Sequence, residues 1–125
     1  MAVEPVTISD QVAKATDGST PTTENSDYDL LGAGNFIDKL RVHFPPGSEG
    51  TLHINIWIVD THGDLRKKVV ETPTDQYISG EDEIVEFTPN LEVKQDEKVR
   101  AIATNNDATW PHKYKITFNI DYEGL

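Results

Sequence analysis

The chain contains no cysteine, which excludes a disulfide framework, a thiolate metal centre and a cysteine nucleophile. It is also short of positive charge. Lys and Arg total 11 against 22 Asp and Glu, a net charge of −11. Such a surface repels phosphate backbones and anionic lipid, so neither nucleic acid nor a membrane surface is expected as a partner. No apolar run approaches the roughly 18 residues that a membrane-spanning helix needs. The opening Met1-Ala2-Val3-Glu4-Pro5 has neither the basic region nor the apolar stretch of a signal peptide. Synthesis in a host cytoplasm, without the ordinary secretory route, is the expectation. Paired histidines at helical spacing and EF-hand spacing are both missing, and no catalytic fingerprint is present. No cofactor, no metal ligand set and no enzymatic activity are expected.

What is present suits one domain. The 125 residues, 36% hydrophobic and 26% charged, suffice for one independently folding core. Residues 1–35 stand apart, rich in Thr, Ser, Asp and Gly, as in Thr16-Asp17-Gly18-Ser19-Thr20-Pro21-Thr22-Thr23-Glu24-Asn25. They read as an N-terminal arm or extended segment. Only Val3-Glu4-Pro5-Val6-Thr7-Ile8 within them is β-branched enough for a short strand, and Pro5 favours a sheet edge.

From Phe36 onward the pattern has a period of two. Phe36, Leu40, Val42 and Phe44 take one face while Lys39, Arg41 and His43 take the other. Leu52, Ile54, Ile56 and Ile58 form the cleanest inward stripe. Tyr114, Ile116, Phe118, Ile120 and Tyr122 alternate with polar residues in the same way. Alternation of this kind marks half-buried antiparallel strands. Shorter candidates are 65–71, 76–79, 83–87, 91–94 and 99–104, with turn chemistry recurring at the spacing of a sandwich. The sequence therefore predicts an all-β, two-sheet antiparallel β-sandwich of about eight strands at residues 36–125. Its connection is jelly-roll or Ig-like, and it follows the arm of residues 1–35.

Several residues are candidates for chemistry or contact. Asp60, His62 and Asp64 share one tight loop with metal-ligand chemistry, but Asp and Gly are equally the residues of hairpin turns. The run Glu81-Asp82-Glu83 resembles a paired-carboxylate site and equally a solvated loop. In Asn105-Asn106-Asp107-Ala108-Thr109-Trp110-Pro111-His112, Trp110 has three readings: a plug folded onto the core, an interface anchor, or a sugar-stacking platform with Asn105, Asn106 and Asp107 bonding hydroxyls or holding Ca²⁺, the last favoured if Trp110 and Tyr114 line one solvent-facing groove. Trp57 and Val59 lie opposite the Ile stripe, on a face that a lone sandwich leaves to water, so cover is expected there.

An acidic leading segment, a small cysteine-free sandwich, the loop Pro45-Pro46-Gly47-Ser48-Glu49-Gly50 and the stretch Leu91-Glu92-Val93-Lys94-Gln95-Asp96-Glu97-Lys98-Val99-Arg100 together resemble the head-decoration and turret proteins of tailed viruses. The resemblance includes those infecting salt-loving archaea, and the acid excess fits a saline setting, although Lys outnumbers Arg eight to three. It implies a symmetric homo-oligomer on a capsid surface and virion localisation. The expected role is a non-enzymatic structural protein that self-assembles or docks on a larger particle. Val3, Val6, Ile8, Trp57, Val59 and Trp110 are its expected contact residues. A carbohydrate-binding or adhesion module, Ca²⁺-assisted in one version, is the alternative.

Overall fold

A computed structural model describes residues 2–16, 20–29, 35–47, 49–70, 77–89, 91–94 and 96–122, with the backbone alone at 2–6, 29, 35, 121 and 122. Among the described residues there are nine strands and no helix. They are β1 (Ala2–Val12), β2 (Thr22–Asp29), β3 (Asn35–Phe44), β4 (Leu52–Val59), β5 (Leu65–Lys68), β6 (Glu83–Phe87), β7 (Leu91–Val93), β8 (Lys98–Asn105) and β9 (His112–Tyr122). One sheet has the order β1-β9-β3-β6, with β7 also on β3, and the other has the order β2-β8-β4-β5. Every pairing is antiparallel.

The pairings nest. Innermost is β4·β5, then β3·β6, then β2·β8, and outermost β1·β9. Alternate pairs of this long hairpin fall into opposite sheets, which is the connectivity of a jelly roll; β7 is an addition to it. The sequence-based expectation of an antiparallel two-sheet sandwich matches this architecture.

The core lies between the sheets. Leu52, Ile54, Ile56 and Ile58 of β4 face Ile116, Phe118 and Ile120 of β9 together with Leu40, Val42 and Phe44 of β3, all at 1% exposure or less. Each such side chain contributes about 1.5–3 kcal/mol by leaving water. On β8 the inward positions Ala101 and Ala103 are fully buried; small residues there leave room for the β4 isoleucines.

Three expectations change. Residues 1–35 do not stand apart from a sandwich at 36–125: they supply β1 and β2, one edge strand for each sheet. Positions 1, 17–19 and 30–34 of that segment lie outside the described residues. Next, Phe36 does not share the inward face with Leu40. The register shifts between Ile37 and Lys39, and this bulge turns Ile37, at 0% exposure, into the core instead. Finally, of the candidate strands at 76–79 and 65–71, whose positions 76 and 71 lie outside the described residues, the first holds a bridge between Ile78 and Ile54 and the second is strand over Leu65–Lys68.

Candidate docking surface

At one end of the sandwich the chain leaves β8 and returns through β9 by way of residues 106–111. Asn105, the last residue of β8, points inward and has 0% exposure. Burial of an amide demands partners, and here it finds them in the surrounding backbone. Its Nδ2 donates to the carbonyls of Trp110 (3.0 Å), Ala13 (3.2 Å) and Val12 (3.4 Å), and its Oδ1 accepts the Asp107 N–H at 2.9 Å. One side chain thus ties the loop to itself and to the end of β1.

Asp107 completes the loop. Its Oδ1 accepts the N–H groups of Thr109 (2.8 Å) and Trp110 (3.3 Å), and its Oδ2 lies 2.8 Å from His112 Nε2. The Thr109 N–H, foremost, and the His112 ring hold the Asp107 carboxyl below its ordinary range. The backbone carbonyl of Asp107 accepts the Ala15 N–H at 2.8 Å.

On this braced loop the indole of Trp110 stands out into solvent, 65% exposed. Beside it a cleft of about 440 Å³ is lined by Pro46, Gly47, Glu49, Asp107, Trp110, Pro111 and His112. The facing loop is held as well, since Glu81 accepts the Gly47 N–H at 2.7 Å and 3.1 Å with its two oxygens. Glu81 is therefore a loop brace.

The reading of Trp110 as a plug is overturned by its exposure. The grouping of Trp110 with Tyr114 is not formed either. Tyr114 is 2% exposed, on the inner face of β9, and its hydroxyl donates to Ser26 Oγ at 3.2 Å, which in turn donates to Asp10 Oδ2 at 3.0 Å. Burial, above all, pushes the Tyr114 phenol up.

The other expected contact residues do not converge on one place. Ile8 (7% exposed) and Val59 (1%) are spent on the chain's own core. Val59 keeps the regular register with β8, opposite Lys98, and is buried where β5 takes an extra residue, Arg66, between Leu65 and Lys67. Val3 and Val6 sit in β1 opposite Asp121 and Phe118 of the same chain's β9, and their side chains lie outside the described residues. Trp57 stays half-buried on the outer face of β4, opposite Arg100 and Lys68.

The Asp60 loop is a turn by construction. Asp60 Oδ1 accepts the N–H groups of His62 (2.9 Å) and Asp64 (3.0 Å), and Gly63 takes φ 87°. Among the described residues no three His, Asp or Glu side chains gather as a metal-holding group.

One residue pair was not foreseen from the sequence. The rings of His53 and Tyr77 stack with centroids 3.4 Å apart and planes 9° apart. No local signal joins positions so distant in the chain; the Ile78–Ile54 bridge brings them together. His53 Nε2 bonds the Gly50 carbonyl at 3.0 Å, so it carries the hydrogen, and Nδ1 accepts from Asn106 Nδ2 at 3.0 Å. Burial holds this imidazole below its ordinary pKa, against the opposing pull of the Gly50 carbonyl.

No protein-family model matches the chain, and no curated protein matches it in sequence. Solved structures of similar fold include viral capsid proteins. The cyanophage Pam1 capsid aligns at TM-score 0.52 and 13% identity over 95% of this chain and 82% of that one. At that identity the likeness is one of fold. The infectious bursal disease virus Gx strain aligns at TM-score 0.44 and 15% identity, covering 98% of this chain, which spans only 32% of the viral chain. TmCBM61, solved in complex with β-1,4-galactotriose, aligns at TM-score 0.48 and 15% identity over 98% of this chain and 83% of that one.

Proposed function

We propose that this protein is a non-enzymatic structural component that assembles with copies of itself and docks on a larger particle, as a decoration or turret protein of a tailed-virus capsid would. The observation that carries the reading is the presentation of Trp110. A bare indole in water is unfavourable, and here a buried asparagine and an aspartate hold the backbone of Trp110 so that its ring stands in solvent. Preorganised tryptophan beside a cleft is the form an interface hot spot takes, because little entropy remains to be lost on contact.

Three further features support it. The jelly roll is a fold of capsid and lectin domains, and the cyanophage capsid chain shares the sandwich, though fold alone does not fix function. The net charge of −11 suppresses indiscriminate association, so that a small apolar contact selects the partner. The loop that faces Trp110 across the cleft is braced as well, by Glu81 accepting the Gly47 N–H.

Sedimentation velocity on the full chain tests this. The native chain should shift to larger species as concentration rises. Trp110→Ala should remain at the monomer value with an unchanged far-ultraviolet circular dichroism spectrum. Equal self-association by both chains, or none by either, would overturn the reading.

A further inference from the structure

The outer face of the four-stranded sheet carries an arrangement that the core does not use and that meets the Trp110 loop only at the His53–Asn106 bond among the described residues. His53, Asn55 and Trp57 alternate with the Ile stripe of β4 and so share its outward side. His53 and Trp57 are four residues apart, roughly 13 Å along an extended strand, with Asn55 midway. Tyr77 lies flat on His53 and is itself 43% exposed. The second aromatic, Trp57, is flanked by Arg100 on β8, whose guanidinium is tied to Asp27 by a fork of 2.7 Å and 3.0 Å.

The hydrogen-bonding capacity of this face is largely unspent. Among the described residues, the Asn55 amide, the Trp57 indole N–H and the Tyr77 hydroxyl have no protein partner, although Asn55 and Trp57 are half-buried. Each of these groups keeps its donors or acceptors for something outside the chain. The His53 ring beneath Tyr77, by contrast, is fixed by bonds at both nitrogens, so the platform is rigid.

From this we infer that the face around Trp57 and Tyr77 is a binding site for a neutral oligosaccharide. Two aromatic surfaces separated by an amide offer stacking at the ends and paired donor and acceptor bonds between them, which is what a polyhydroxylated ring with apolar C–H faces requires. The spacing suits a short chain of rings rather than a single sugar. An anionic ligand is disfavoured by the net charge of −11; of the two cations opposite Trp57, Lys68 and Arg100, the guanidinium is already paired with Asp27. This inference is independent of the docking role of Trp110.

The experiment is a heteronuclear NMR titration of the ¹⁵N-labelled full chain with trimers to pentamers of β-1,4-linked glucose, galactose and N-acetylglucosamine. At least one series should shift the Asn55 amide and Trp57 indole signals in a saturable way. Tyr77→Ala, at an exposed position, and Trp57→Ala should each weaken binding by about tenfold, the loss of one stacked ring. Trp57→Phe, which keeps a ring, should retain binding and shows that loss in Trp57→Ala is not unfolding. Trp110→Ala should bind as the native chain does, whatever its oligomeric state. The inference is overturned if no series shifts these signals up to about 10 mM, beyond the weak limit of specific recognition. It is equally overturned if binding depends on Trp110 rather than Trp57, or if these signals move with protein concentration instead of sugar.

Discussion

Two loops of this protein use the same local device and come to different ends. In the β4–β5 turn, Asp60 accepts the N–H groups of His62 and Asp64; in the β8–β9 loop, Asp107 accepts those of Thr109 and Trp110. Both carboxyls sit below their ordinary range because backbone N–H groups favour the ionised form, that of Asp64 first for Asp60 and that of Thr109 first for Asp107. The Asp60 turn stops there, a minimal closure between adjacent strands. The Asp107 loop is also bolted to the core by Asn105 and to the stretch after β1 through Ala15, and it carries an exposed tryptophan. An aspartate in a loop therefore does not indicate whether the loop merely reverses the chain or presents something. The buried brace behind it does.

The largest effect on stability should come from that brace. Asn105→Ala, at a position with 0% exposure, leaves the carbonyls of Val12, Ala13 and Trp110 without this donor, a cost of about 2–3 kcal/mol, read as a lower denaturation midpoint at unchanged slope. No residue behind the Asp60 turn should match it. Next in size, Asp107→Ala should destabilise more than Asp60→Ala, since Asp107 also takes His112 while Asp60 has backbone partners alone; thermal melts at pH 7 compare them. Acid sharpens the same contrast. A carboxyl whose folded pKa is depressed contributes stability above the ordinary carboxylate range and loses it as pH falls through the lowered value. Midpoints followed downward from pH 7 should drop for the native chain and drop less steeply for either alanine variant. The smallest effect on folding should come from the tips. Trp110→Ala and Leu65→Ser, at exposed positions, should each change stability by no more than about 0.5 kcal/mol, yet Trp110→Ala alone should abolish self-association.

The fold was legible where burial is one-sided. Strands β4 and β9 announce themselves because every second residue is large and apolar, and β6 matches its expected bounds at Glu83–Phe87. Strand β2 was invisible for a physical reason. Its inward positions are Thr22, Glu24, Ser26 and Tyr28, at a sheet edge where the two layers open to water and hydrogen bonds replace apolar contact. Period two cannot appear where neither face is apolar. The bulge after Ile37 was equally hidden, because the extra residue changes which side chain points inward without changing composition. Trp110 could be singled out from the sequence as a residue worth explaining, but only the Asn105 and Asp107 network decides that it points outward. The His53–Tyr77 stack depends on a single long-range bridge and left no trace in the chain's local pattern.

Trp110 itself is the most direct reporter of whether this protein is built to associate. In a Trp57→Phe variant it is the sole tryptophan, and acrylamide quenching of its fluorescence can be followed as protein concentration is raised. Shielding that grows with concentration, from an open indole when dilute to a protected one when concentrated, is the result this account predicts. Quenching that stays as efficient at the highest concentration as at the lowest would contradict it.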